Sequence, residues 1–474
     1  MESLKDRAAK GIAWGAVNNG TTQVLNLVFG IFLARRLSES DYGILALLTI
    51  FTTLAGCIQS AGFSNALANM KPPTQRDYSA VFWFNIIAGL SMYAILFFAA
   101  PLIAAFFHLP VLVGVSRLVF LCIPASALGI VPNAKMWIGL RNRELAIAAI
   151  VSLVVSGCVG LWLAYHGYGY WSLAWQQLLF ITLSMLMKWL FTQWHPLFPI
   201  DLSPIRAMFS FSYKILLTNM LTVISQNVLT FIFGKLLPIG IVGQWGQANK
   251  WNTMGSSFIA GTMQQVAQPV LTNAGTERQE SVFRKMLRFT AFVSFPVMLG
   301  FALVAHEFIV LTIGEKWLPC VPMLQVLCVG GAFLPLHTLY QNFIISRGRS
   351  DIYLRCIALM IAMQIAITLA LASFGIMTMV IAFSALNVMF TLCWHAALRR
   401  IEPLSLLYAL KDTMPFFLTA LTVMAATYAM TLWTDSLPAR LAMRIVIAGT
   451  LYFAAMRLLG AKTLEESLKY IFKH

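Results

Sequence analysis

Apolar stretches long enough to cross a bilayer recur fourteen times in this chain, and that recurrence leaves few ways to fold. They run at about 11–34, 43–65, 79–107, 112–135, 145–165, 169–194, 208–237, 241–271, 285–312, 319–346, 352–374, 375–398, 408–433 and 438–458. Each is about 20 residues or more, the length an α-helix needs to span the hydrocarbon core. A chain 59% hydrophobic and 11% charged cannot bury that much apolar surface in a soluble domain, where charged residues are roughly a quarter of the total. Inside a bilayer every backbone N–H and C=O must be satisfied locally, so the stretches read as helices. The expected fold class is all-α: a polytopic membrane protein of 14 transmembrane helices. Met1–Lys10 is polar and basic, and the segment that follows is too long for a cleaved leader, so it reads as the first span.

The distribution of Lys and Arg tests this topology. With the N-terminus in the cytoplasm, 24 of the 33 cations fall on inner segments and 6 on outer ones. That excess on one side is the positive-inside pattern, with both termini cytoplasmic. It also accounts for the net charge of +16 without a nucleic-acid partner. Arg117, Lys214 and Lys250 remain inside spans.

The two halves of the chain echo each other. Ala34-Arg35-Arg36-Leu37 with Gly43 matches Gly234-Lys235-Leu236-Leu237 with Gly243 at an offset of 200. Arg141-Asn142-Arg143 matches Arg347-Gly348-Arg349, and Gly169 matches Gly375, both at 206. A repeat of six helices keeps its orientation, so the halves are parallel repeats. The expected organisation is an N-terminal lobe at 1–194, a proline-bearing cytoplasmic linker at 195–207 and a C-terminal lobe at 208–400. Helices 13 and 14 follow at 401–460, then an amphipathic tail at 461–474. Two six-helix lobes around a central cavity, plus two extra helices, is a transporter plan.

Polar residues inside spans point to that cavity. In Gly243–Gln268, helical spacing puts Gln247, Lys250, Ser257, Gln264 and Gln268 on one face. The seventh span has its own stripe from Lys214 through Thr218, with Asn219 and Gln226 beside it, and the first adds Asn19, Gln23 and Asn26. A charge at mid-bilayer costs ~2.5–3.5 kcal/mol even on the lenient insertion scale. Lys250 lies about 13 Å into its span, and neither it nor Lys214 has an acidic residue in reach within the spans. Unpaired lysines on a wet wall invite an anionic ligand. Of the acids, only Glu307 falls well inside a span, and with His306 it is the candidate for a coupling ion.

Much else is missing. There is no phosphate-binding glycine loop, no metal-ligand spacing among the seven cysteines and no outer loop large enough for a catalytic domain. No cofactor, metal or enzymatic activity is expected.

Lys10-Gly11-Ile12-Ala13-Trp14, the run LARRLSESDYG at Leu33–Gly43 and YGYWSLAWQQL at Tyr168–Leu178 resemble Wzx-type polysaccharide flippases. The likeness is to the subgroup of lipopolysaccharide biosynthesis proteins that includes the colanic acid transporter. It implies the fold of the multidrug/oligosaccharidyl-lipid/polysaccharide exporter superfamily. It also implies movement of undecaprenyl-diphosphate-linked oligosaccharide units across the bacterial inner membrane, for O-antigen, capsule or exopolysaccharide assembly. The partners it implies are the lipid-linked oligosaccharide, membrane lipids and polymerase or chain-length machinery, with cavity cations such as Lys214 and Lys250 holding the diphosphate. The alternatives are a cation-coupled multidrug exporter of the same fold and, further off, a membrane glycosyltransferase or polymerase.

Overall fold

The computed structural model describes residues 4–60, 63, 67, 73–273, 279–402, 404–460 and 464. The side chains of Lys214, Gln264 and Gln268 lie outside the described set, as does most of the tail at 461–474. Among the described residues the chain is helical, with no strand. The helices are α1 (Leu4–Arg36), α2 (Glu39–Ser60), α3 (Gln75–Phe107), α4 (Leu112–Phe120), α5 (Cys122–Ile138), α6 (Asn142–Tyr165) and α7 (Tyr170–Thr192). Then come α8 (Ser203–Leu236), α9 (Ile239–Asn273), α10 (Gln279–Thr312), α11 (Cys320–Gly331), α12 (Leu334–Ser346), α13 (Ser350–Ala370), α14 (Ile376–Arg399), α15 (Leu406–Met430) and α16 (Leu437–Leu458).

Two spans are broken. The fourth divides into α4 and α5 at Leu121, and the tenth into α11 and α12 at Ala332 and Phe333. A proline sits just after each break, Pro124 and Pro335. In a helix's first turn the missing N–H costs little, because that donor would be unbonded anyway. Counting each broken pair as one, the described residues form fourteen helical segments, in line with the fourteen apolar stretches. Eleven of them meet a test of length and apolarity for crossing a membrane. The other three are α1, α7 and α9; α1 and α9 are two of the helices with the polar faces.

Backbone geometry matches at several of the paired positions. Gly169 and Gly375 both have positive φ, 52° and 86°, and each caps the helix that follows, α7 and α14. The turns before α6 and α13 also match: Leu140 and Gly348 have φ of 54° and 70°, and Arg141 and Arg349 after them share ψ of 52°. The equivalent of Arg349 is therefore Arg141 rather than Arg143, two residues from the register that the sequences suggest.

The chain forms two compact units, Met1–Gly243 and Gln244–His474. In the first, Phe82, Trp189 and Trp194 meet edge-on or tilted around a core with Phe63, Leu67, Val131, Ile205 and Met208. The segment after α7 is strapped to the start of α3. Gln75 donates to the His195 carbonyl at 2.6 Å, Trp83 to Leu197 O at 3.2 Å, and Ser79 Oγ accepts from Leu197 N at 3.0 Å. Arg76 binds Asp201 and donates to Ser203 Oγ at 3.0 Å. Hydrogen bonds from Ser203, and then from Arg76, hold the Asp201 carboxyl down at about 2.

Two glycines set the closest helix approach in this unit. A Cβ on Gly243 would stand 1.8 Å from Glu39 O, and one on Gly43 would stand 2.2 Å from Ile239 O. These are the repeat-related glycines, packed on each other where α2 and α9 begin.

The second unit is built around α10. Phe283 packs on Tyr340 and Phe343 with centroids at 5.2 and 5.1 Å, and Phe295 packs on Phe333 and Phe417 at 5.1 and 5.2 Å. Two buried carboxylates fasten α15 and α16 to it. Asp412 of α15 accepts from Arg284 Nε at 2.7 Å and Arg288 Nη1 at 3.1 Å. Glu307 of α10 accepts from Arg444 Nη1 on both oxygens, at 2.9 and 2.8 Å. At about 1.5 Å rise per residue, Arg288 and Glu307 are about 28 Å apart along α10, close to the ~30 Å of a hydrocarbon core.

Candidate functional site

The expected cavity residues fall into two sets, one per unit. In the first unit, Asn19, Gln23 and Asn26 are exposed and follow one face of α1 at spacings of four and three. Further along α1, Phe29, Leu33 and Ala34 are buried. Gly157 of α6 lies against the Phe29 ring, so close that a Cβ there would stand 2.7 Å from it. On α8, Asn219 and Gln226 are exposed and Thr218 is half-buried, its carbonyl accepting from Thr222 at 2.9 Å. Asn227 turns back on its own helix, donating to Val223 O at 2.9 Å.

The polar residues of α2 do a different job. Thr52 and Thr53 donate to carbonyls one turn back, and the buried Gln59 meets Ser126 of α5 at 3.2 Å. They hold helices together, which is the common use of short polar side chains in membrane bundles.

In the second unit, α9 has two sharply different faces. Trp245, Trp251, Asn252, Ile259 and Met263 are buried. Trp245 meets Phe383 of α14 with centroids 6.2 Å apart, and Trp251 meets Phe308 of α10 at 5.0 Å. Asn252 lies so close to Gly331 of α11 that a Cβ there would stand 2.1 Å from Asn252 Oδ1. The other face exposes Lys250, Thr253, Ser257 and Phe258. Gln247, which spacing puts beside Lys250, turns inward at 2% exposure, and both its amide atoms lack a hydrogen-bond partner. One turn before Trp251, it is carried into the unit with that ring.

Lys250 is the chemical centre of the exposed strip. Its Nζ sits 5.5 Å from the Trp251 ring centroid, a cation–π contact. It forms no ion pair among the described residues. A polar strip with one cation can hold an anion and hydrogen-bond hydroxyl-rich groups. No cluster of His, Cys, Asp and Glu suited to a metal occurs among the described residues.

Glu307 and His306 are placed otherwise than a coupling site would want. Glu307 is 1% exposed; besides Arg444, Arg440 stands 3.6 Å from it and His306 Nδ1 3.9 Å. Two guanidiniums already answer one carboxylate. Reading the sequence singled out none of Arg440, Arg444 and Asp412. The signal that finds them is the spacing of four in Arg284/Arg288 and in Arg440/Arg444, which puts each pair on one helix face.

Comparison with known proteins adds the lineage. A family described as polysaccharide biosynthesis proteins matches residues 32–322, more than half of the chain. The chain belongs to that family. Among similar proteins, the teichuronic acid biosynthesis protein TuaB of Bacillus subtilis is 24% identical over 369 residues, 74% of each chain. The lipopolysaccharide biosynthesis protein WzxC of Escherichia coli K12 is 22% identical over 362 residues, 74% of this chain and 72% of that one. A solved structure of the lipid II flippase MurJ, in an inward closed conformation, superposes with a TM-score of 0.75 at 15% identity, covering 94% of this chain and 99% of that one. The expected fold class holds: among the described residues this is a helical, multi-pass membrane protein, and it belongs to the polysaccharide biosynthesis family.

Proposed function

We propose that this family member is a flippase that carries undecaprenyl-diphosphate-linked oligosaccharide units across the bacterial inner membrane by alternating access. Both termini lie in the cytoplasm, and the chain is organised as lobes at 1–194 and 208–400. It is a transporter with no catalytic step of its own. Membership of the polysaccharide biosynthesis family supports the substrate class. The relatives' names point the same way, to wall and surface glycans and to a lipid-linked precursor.

The observation that supports the reading is the exposed Lys250 on a polar strip of α9, with no ion pair among the described residues. Its charge attracts the diphosphate, Lys214 adds to it, and the amides of Asn19, Gln23, Asn26, Asn219 and Gln226 with Ser257 and Thr218 bind the glycan. The prenyl chain stays in lipid. A cation-coupled multidrug exporter wants a carboxylate free to exchange its ion, whereas Glu307 is occupied by Arg444.

The test is complementation in cells that depend on this protein for surface polysaccharide. Lys250→Ala should cut polymer strongly at unchanged protein level, and Lys250→Arg should retain part of it. Normal polymer from Lys250→Ala rejects the role.

A further inference from the structure

A second site lies in the second unit, away from α9. A cavity of about 240 Å³ opens among α10, α12, α14 and the start of α15. Its wall is almost entirely carbon: Leu287, Leu336, Leu392, Ala409, Leu410 and Met414 contribute. The hydroxyls in the wall are turned onto protein partners. Thr413 donates to Ala409 O at 2.8 Å, Thr391 pairs with His337 at 2.9 Å and Tyr340 with His395 at 3.2 Å. At ~30 Å³ per water the space equals about eight waters, but an apolar wall of this kind stays dry and takes an apolar guest. Met389 and Leu392 of α14 and Leu406 of α15, 60%, 48% and 36% exposed, form its open side, so the guest enters from the bilayer.

The chemistry changes abruptly at one end. Leu287 of the wall lies between Arg284 and Arg288, which hold Asp412, next to Thr413 of the wall. Here α10 and α15 carry Arg284, Lys285, Arg288 and Lys411 against the acids Glu280 and Asp412, a surplus of two positive charges. Arg288 is 40% exposed and spends only Nη1 on Asp412, so donors remain. By helix length α10 is about 51 Å, some 20 Å longer than the hydrocarbon core, which puts Arg284 and Arg288 at headgroup depth.

We propose that this is a binding site for an anionic phospholipid of the leaflet that faces Arg284 and Arg288. One acyl chain enters the cavity and the phosphate rests on the arginine lip. Apolar slot, open bilayer side and surplus charge at headgroup depth are the three features such a lipid needs together. The site is separate from the Lys250 strip and does not depend on what the protein transports.

Native mass spectrometry of the full-length protein, titrated with dioleoyl phosphatidylglycerol or dioleoyl phosphatidylcholine, tests this. One phosphatidylglycerol should bind in preference. Arg288→Gln, which leaves Arg284 on Asp412, should weaken that binding roughly tenfold and remove the headgroup preference. Ala409→Leu should fill the slot and lose retention of either lipid. Unfolding temperature without added lipid shows that each variant is folded, and Arg288→Gln stands as the test should Ala409→Leu not fold. Equal binding of the two lipids by the wild type overturns the proposal. So does wild-type retention by both variants, or displacement of the lipid by undecaprenyl diphosphate at equal concentration. Lys250→Ala should leave this binding unchanged, so lipid retention and transport fail separately.

Discussion

Replacing Gly243 by alanine should push α2 and α9 apart. The new Cβ would stand 1.8 Å from Glu39 O, 2.7 Å from Glu39 C and 3.0 Å from Gly43 N. All three are backbone atoms, which cannot swing aside as a side-chain tip can. Since real Cβ contacts do not go under 3.0 Å, the helices must separate by at least the 1.2 Å between 1.8 and 3.0 Å. Alanine gains ~1 kcal/mol over glycine in helix propensity. Overpacking costs about 1–3 kcal/mol, and rigid backbone on both sides puts this site at the upper end. The net expectation is a loss of roughly 1–2 kcal/mol, a fall of several degrees in unfolding temperature at ~2–4 °C per kcal/mol. Gly56→Ala in α2 is the control, because a Cβ there meets nothing within 4 Å. It should keep the propensity gain and raise the unfolding temperature. The assay is thermal unfolding of both variants in one detergent or nanodisc. If Gly243→Ala proves as stable as Gly56→Ala, the α2–α9 contact is not as tight as described and the reasoning fails.

Other outcomes follow from the same geometry. Glu307→Gln should destabilise the protein by ~3–5 kcal/mol, since it strands the buried Arg444 charge, and Glu307→Gln with Arg444→Met should recover much of the loss in thermal unfolding. A Glu307→Gln protein of normal stability with altered ion dependence of transport would instead make Glu307 a coupling residue. Gly331→Ala should cost ~1–3 kcal/mol by pressing on Asn252 Oδ1, and adding Asn252→Ala should relieve it, a coupling that a double-mutant cycle reads directly. The Asp201 contacts depress that carboxyl from 3.8 to about 2, so their contribution is complete above 3.8 and fades only as pH falls toward 2. Protease access to the segment after α7 should therefore be flat from pH 5 to 8 in the wild type and raised throughout in Asp201→Asn.

The membrane class and the many-helix plan were legible because they rest on local properties. A span is a length of apolar chain, and a matched pair of motifs is a spacing. Gly169 and Gly375 show how far this goes: matched as letters, they proved to be matched positive-φ helix starts. The arginine turns show the limit, for the backbone sets Arg141 against Arg349 while the letters favour Arg143. Helical spacing also fixes which residues share a face, and the amides of α1 and α8 and Lys250 of α9 are exposed.

What spacing could not fix was which way each face turns. Gln247 is polar like Lys250 and less than one turn away, yet it follows Trp251 into the unit, because the two tryptophans of α9 pack on α10 and α14. Glu307 looked like a solitary acid open to an ion. Its partners, Arg440 and Arg444, are more than 130 residues away in sequence, and only packing of α16 on α10 brings them within ion-pair reach. The same holds for Asp412 with Arg284 and Arg288, and for the slot beside them. The sequence alone determined that this is a many-helix membrane protein with polar faces, because bilayer length and helical period act within one segment. Pairing of charges and the shape of cavities belong to surfaces that meet only when distant segments pack, and those the tertiary structure decided.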